Sequence, residues 1–342
     1  MKDGSKPLLQ VLRGTRVDPQ PMWMMRQAGR YLPEYRELRA EKGGFLALAT
    51  DPDAAAEITI QPLRRFAMDG AILFSDILIV PWAIGQELSF TAGEGPRLSP
   101  PLLDGRFDQL QPAMERTHAI FETVKRVAAQ LDPSVTFLGF AGAPWTVATY
   151  MVAGEGSRDQ GPARLLAYRD PQAFAELLDR IAAVTLDYLT GQVEAGVEAV
   201  QLFDSWSGSL APKEFDRWVV EPTAALVAAF KARHPSVPVI GFPKGAGEKL
   251  PRYAQATGVD AVGVDEALDP VWVHANLPSG LPVQGNLDPL ALLAGGSRLD
   301  EAVDAVLAAF RDRPHIFNLG HGISKETPIA HVERMIARVR GT

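Results

Sequence analysis

Three arginines, Arg26, Arg30 and Arg36, and two tyrosines fall within the sixteen-residue segment Pro21–Arg36, PMWMMRQAGRYLPEYR. A guanidinium fork binds carboxylates bidentately and stays charged at any physiological pH. The glycine and proline in the segment argue against one smooth surface helix. The segment therefore reads as one wall of a pocket for a carboxylated polyanion. The competing reading is a solvated charged face, which contributes little to stability. What separates the two is whether other polar groups are brought to the same place.

Those other groups follow short apolar runs. Ser75-Asp76 follows Ile72-Leu73-Phe74, and AGAPWT with Tyr150 follows Phe137-Leu138-Gly139-Phe140. Asp204-Ser205 follows Val200–Phe203, Pro243-Lys244-Gly245 follows Ile240-Gly241-Phe242, and Gly285–Asp288 follows Val283-Gln284. Gly320-His321-Gly322 follows Ile316–Leu319. Asp76 sits in an apolar stretch, where a charge needs a partner or a task; it could also cap a helix or pair with a structural arginine. Tyr150 alone could be a core tyrosine with one hydrogen bond, and Ser205 a turn or cap residue. His321, flanked by glycines at a strand end, is a better candidate than the other five histidines. His118, His234 and His331 lie in polar helical or turn-like stretches and read as surface residues. Lys244 could serve as a Schiff-base or phosphate-binding lysine, or simply close a Gly-rich turn, the reading we favour.

The elements that must position these groups repeat. Strand-like runs occur at Ala71–Val80, Thr136–Phe140, Ala199–Phe203, Val237–Phe242, Ala261–Val264, Leu281–Gln284 and His315–Leu319, with Pro21–Met25 as a possible eighth. They are short and apolar, as strands buried on both faces should be. Helical patterns lie between them, the clearest being Phe174, Leu177, Leu178, Ile181, Val184 and Tyr188. Asp-Pro pairs at Asp51, Asp170, Asp269 and Asp288 look like N-caps followed by proline at the first helical position. Pro62 and Pro222 should kink or end their helices. Thr91–Gly105 reads as a long loop or irregular hairpin. Seven or eight strand-then-helix units predict an α/β fold, a single (β/α)8 TIM barrel over residues 1–342, whose active site lies at the strand C-termini. A doubly wound open sheet is the alternative, weakened by the lack of a G-x-G-x-x-G fingerprint.

Composition narrows the chemistry. The 342 residues are 46% hydrophobic and carry a net charge of −7, which argues against nucleic acid as a partner. With no cysteine, thiolate metal sites, disulfides and cysteine nucleophiles are excluded. No H-x-H or H-E-x-x-H spacing suggests a histidine metal site. MKDGSKPLLQVLRG has no apolar leader core and no run is long enough to span a bilayer, so a cytoplasmic protein without membrane association is expected.

The motifs MRQAGRYLPEYR (Met25–Arg36), QPLRRF (Gln61–Phe66), FSDIL (Phe74–Leu78), GAPWT (Gly142–Thr146), FDSWSG (Phe203–Gly208), GFPKG (Gly241–Gly245), QGNLDP (Gln284–Pro289) and NLGHGI (Asn318–Ile323) resemble the uroporphyrinogen decarboxylase family. The resemblance runs in order over nearly the whole chain, and RQAGRY and FSDIL are its most specific parts. It implies a (β/α)8 barrel, a homodimer with facing clefts, no cofactor and no metal. It implies a small-molecule substrate, uroporphyrinogen, whose four acetates become methyls to give coproporphyrinogen and CO2 in haem biosynthesis. Carried over by position, Arg26, Gln27, Ala28, Gly29 and Arg30 line the substrate cleft, with Arg39 less firmly placed. Asp76 is the central residue, and Tyr150, Ser205 and His321 complete the contacts. Arg26, Arg30, Asp76, Tyr150 and His321 are the expected catalytic set. An arginine is a poor acid, so His321, Tyr150 or a water held by either are the easier proton donors. Relatives in the same superfamily, cobalamin or thiol methyltransferases that use zinc, would need cysteine. A non-catalytic tetrapyrrole carrier and a Lys244 aldolase are the other readings.

Overall fold

The computed structural model describes residues 6–91 and 95–341. The first five residues of the N-terminal stretch and Ala92–Glu94 of the Thr91–Gly105 segment lie outside the described residues. Among the described residues, seven parallel strands form one sheet: β1 (Gly70–Ile72), β4 (Thr136–Gly142), β5 (Ala199–Asp204), β6 (Val239–Pro243), β7 (Ala261–Gly263), β8 (Val283–Leu287) and β9 (His315–Leu319), side by side in chain order. A separate antiparallel hairpin joins β2 (Glu87–Thr91) to β3 (Gly95–Ser99). Within Thr91–Gly105, Gly95–Ser99 is thus the second strand of a hairpin and the residues after it are loop.

Side-chain bonds show that the sheet curls. β5 and β8 are three places apart, which at the usual strand spacing is roughly 14 Å across a flat sheet. Yet Gln284 Nε2 donates to Gln201 Oε1 at 3.0 Å, and Trp23 Nε1 donates to Gln284 Oε1 at 2.9 Å. The inner faces of these strands must therefore turn toward one another. The eighth candidate, Pro21–Met25, is not a full strand. Met22 forms a single parallel bridge with Phe317 of β9, and Asp69, just before β1, donates its backbone N–H to the Met22 carbonyl at 2.9 Å. Pro21 itself has no N–H to give to a ladder.

The strand boundaries correct the sequence reading mainly at the first unit. Ala71–Val80 is strand only at its start; Leu73–Leu78 is loop, and Ile79–Ile84 is helix. A continuous apolar run cannot by itself distinguish a strand from a buried helical turn. The four Asp-Pro pairs named above cap helices, with Asp51, Asp170, Asp269 and Asp288 side chains accepting first-turn N–H groups. Pro62 is tolerated three residues before its helix ends at Arg65, and Pro222 follows a π-turn at Asp216–Val220. The helix Pro171–Ala195 buries all six residues of its apolar stripe. Gln192 of that helix pairs with both backbone groups of Phe140, at 3.0 Å each. A Cβ at Gly139 would collide with that amide, so glycine lets the helix dock against β4.

Candidate active site

The Pro21–Arg36 segment is stitched across the sheet at the ends of two strands. Met25 N–H donates to Asn318 Oδ1 at 3.0 Å, and Ile323 N–H donates to the Met25 carbonyl at 3.0 Å. Gln27 is fully buried; its Oε1 accepts from Met24 N–H and its Nε2 donates to the Gly70 carbonyl. The Gln27 side chain is thereby spent on joining the segment to β1, a different task from the substrate contact expected of it. Between these anchors Arg26 holds φ +62°, a left-handed conformation that a residue other than glycine adopts at a cost of roughly 1 kcal/mol or more. That twist presents the Arg26 side chain to solvent over Gly322, while Ala28 and Gly29 remain half-buried behind it.

Asp76 lies in the loop after β1. Its Oδ1 accepts the Leu78 N–H at 2.8 Å, which sets up the helix Ile79–Ile84. That bond goes to Leu78, the residue before the helix, and not to a first-turn N–H, so Asp76 is not the helix cap considered from sequence. Desolvation lifts its pKa from the ordinary 3.8 to about 6, with the Leu78 N–H and the Arg26 charge opposing the rise.

Tyr150 comes from the helix Pro144–Ala153, and its ring lies 6.4 Å from that of Trp206. Burial raises the Tyr150 hydroxyl pKa, and the Asp76 charge adds to the rise while Trp206 and Arg26 oppose it. Ser205 is half-buried in the turn after β5. That turn is fixed from beneath: Thr146 Oγ1 donates to the buried Asp204 Oδ1 at 2.5 Å and accepts the Trp206 N–H at 3.0 Å. Asp204 Oδ2 has no partner among the described residues, and burial lifts the Asp204 pKa to about 7.

His321 follows β9. Burial, then the Arg26 and Lys244 charges, lower its pKa to about 4, against a smaller pull from Asp265. At that value His321 is a neutral imidazole near pH 7. His331 is also not the surface residue expected: its Nδ1 approaches the Leu292 and Leu293 carbonyls at 3.1 Å. His234 is likewise half-buried, its ring tilted against that of Phe230 with centroids 5.3 Å apart.

Arg26 is the common electrostatic neighbour of Asp76, Tyr150 and His321, which brings these four into one inner cleft. Arg30 and Arg39 stand further out. With Arg36, Ala40, Lys325 and Glu326 they line an outer pocket of about 630 Å³. Arg36 serves as a brace there, donating to the Arg30 and Tyr31 carbonyls. The sequence reading passed over Lys325 and the Thr146–Asp204 pair. Lys325 lies four residues past His321 in a polar turn with no distinguishing spacing, and a buried Asp–Thr bond leaves no mark in sequence.

Fold and cleft together define a parallel α/β protein of the kind that works from its strand C-termini, here on a polyanionic ligand. The uroporphyrinogen decarboxylase family model matches residues 3–342, and the chain belongs to that family. Proteins named uroporphyrinogen decarboxylase from Rhizorhabdus wittichii and Sphingopyxis alaskensis are 68% and 64% identical to it. The first match covers 98% of both chains and the second 100% of both. Among solved structures, a methyltransferase from Methanosarcina mazei superposes with a TM-score of 0.80 at 18% identity, covering 98% of this chain and 97% of that one. At that identity the likeness speaks for the fold alone.

Proposed function

We propose that this protein decarboxylates the four acetate side chains of uroporphyrinogen III to methyls, giving coproporphyrinogen III and four CO2 without a cofactor. The observation that carries the reading is the placement of one desolvated carboxylate, Asp76, beside Arg26, Tyr150 and His321 at the strand ends of a chain belonging to this family.

Losing CO2 leaves an electron pair that needs a sink, and a pyrrole can supply one. Protonation of a ring carbon beside the acetate-bearing carbon gives an iminium-like cation. The C–CO2 bond then breaks, its electrons flow into that cation, and an exocyclic methylene results. A second proton makes the methyl, and the ring proton is released, so one proton is consumed per CO2. Asp76, an acceptor when ionised, receives the inward N–H donors of the reduced macrocycle and stabilises the cation. Arg26, Arg30 and Arg39 hold peripheral carboxylates. Ser205, Tyr150 and the backbone of Gln27–Gly29 contribute the remaining contacts. A carboxylate arriving beside His321 offsets the cations that hold it neutral and so raises its pKa, which makes proton donation from His321 or a water on it easier once substrate is bound.

The same reading takes residues 1–342 as one catalytic domain with a complete (β/α)8 barrel. The backbone bonds of Met22 to Asp69, and of Pro21 and Trp23 to Phe317, favour closure at the eighth position. A homodimer and a cytoplasmic location follow the family resemblance. Light scattering tests the dimer. Anaerobic incubation with uroporphyrinogen III, followed by chromatography of the oxidised porphyrins, tests the activity. Products with seven, six, five and four carboxylates are expected; tight binding without carboxylate loss would favour a carrier.

A further inference from the structure

Lys244 is half-buried at the end of β6, on the same rim as the other strand-end groups. Its backbone is firmly held: Lys244 N–H donates to the Asp204 carbonyl at 3.1 Å, and its carbonyl accepts from Gly208 N–H at 3.1 Å and Ser207 Oγ at 3.0 Å. These bonds set it against the turn that carries Ser205. Across the rim it faces His321, close enough for its charge to act on the imidazole.

The ammonium nevertheless has no hydrogen-bond or ion-pair partner among the described residues. The carboxylate available on that side, Asp265, has both oxygens engaged by backbone, Oδ2 by Gly245 N–H at 2.7 Å and Oδ1 by Ala267 N–H at 3.0 Å. A half-buried ammonium whose charge reaches the His321 imidazole, and which has no counter-ion among the described residues, is a ready partner for a carboxylate that a ligand supplies. The Gly-rich turn alone does not need it, since the turn is built from backbone bonds to which the side chain contributes nothing.

We propose that Lys244 is a substrate-binding residue whose ammonium takes a side-chain carboxylate of the macrocycle between Ser205 and His321. The inference rests on the polycarboxylate reading of the cleft. It gives the inner cleft a carboxylate anchor on the side away from the Pro21–Arg36 segment, so that the ring is held from two directions.

The test compares Lys244→Met and Lys244→Arg with wild type under anaerobic conditions. Affinity for uroporphyrinogen III is read by quenching of tryptophan fluorescence, which needs no turnover, and KM and kcat are read separately. Met should weaken binding and raise KM by about ten- to a hundred-fold, the usual weight of a charged hydrogen bond. Its kcat should fall far less, Arg should restore most of the affinity, and the Met variant should melt no lower than wild type. Wild-type affinity in the Met variant overturns the proposal, as does a lowered Tm with binding that Arg does not restore. Absence of turnover in wild type that still binds would overturn the decarboxylase reading and leave the Lys244 comparison intact.

Discussion

The Arg26 side chain runs directly over Gly322: a Cβ built on Gly322 would sit 2.8 Å from Arg26 Cγ and 2.9 Å from Nε, inside any real contact distance. The glycine after His321 is therefore the floor on which the arginine rests. Gly322 has no left-handed φ, so its backbone accepts alanine without strain. Gly322→Ala should fold with a Tm close to wild type and displace the guanidinium from Asp76 and His321. Because a misplacement of about 1 Å can cost about 10²-fold in rate, kcat/KM for uroporphyrinogen III should drop by a comparable factor. Wild-type kcat/KM in this variant would show that Arg26 need not lie where it does.

Asp76 gives the activity an acid limb. Its folded pKa of about 6 lies above the ordinary 3.8, so the carboxylate becomes protonated as pH falls through about 6 and loses the charge that stabilises the ring cation. His321, at about 4, stays neutral through that window and does not account for the limb. The log kcat/KM profile should bend downward near pH 6. Asp76→Asn, which keeps an acceptor and lacks the charge, should lose about 10²–10³ in rate at neutral pH and show no bend there. A bend that persists in the Asn variant would belong to another group.

The rim was legible in sequence for a physical reason: groups that follow apolar runs in a parallel sheet arrive at one end of it, and Asp76, Ser205 and His321 each follow such a run. Lys244 does too, but its Gly-rich setting read as a turn. The four Asp-Pro caps were legible because capping is local. What escaped depended on partners distant in the chain. Gln27 reads as one more polar residue in a binding segment until its bond to the Gly70 carbonyl is seen. The eighth position reads as a strand until its pairing reduces to one bridge at Met22. The neutral state of His321 comes from Arg26 and Lys244, nearly 300 and nearly 80 residues away.

Asp204 makes stability depend on pH with a definite sign. Its folded pKa, about 7, is above the ordinary 3.8, so between those values the native state holds a proton that the unfolded chain has released. Stability therefore falls as pH rises from about 4 through about 7, and the loss is complete above that. Asp204→Asn removes the titration and keeps an acceptor for Thr146. The Tm difference, variant minus wild type, should be more positive at pH 8 than at pH 5 in thermal melts. A difference independent of pH would place the Asp204 titration outside this range.

The outer pocket should act on encounter more than on chemistry. A chain with a net charge of −7 repels a polycarboxylate at long range, and Arg30, Arg36, Arg39 and Lys325 reverse that field locally, with Glu326 the one acidic residue among them. Lys325 is exposed and outside the inner cleft, so it can be changed without touching Asp76 or Arg26. Lys325→Glu should lower kcat/KM several-fold at low ionic strength and leave kcat within about two-fold, since rim charges act mainly on association. The deficit should shrink as salt is raised to about 0.5 M, where the screening length falls well below the width of the pocket. Steady-state kinetics over a salt series checks this, and a deficit that is the same at every ionic strength would mean that Lys325 touches the bound substrate and does not merely steer it.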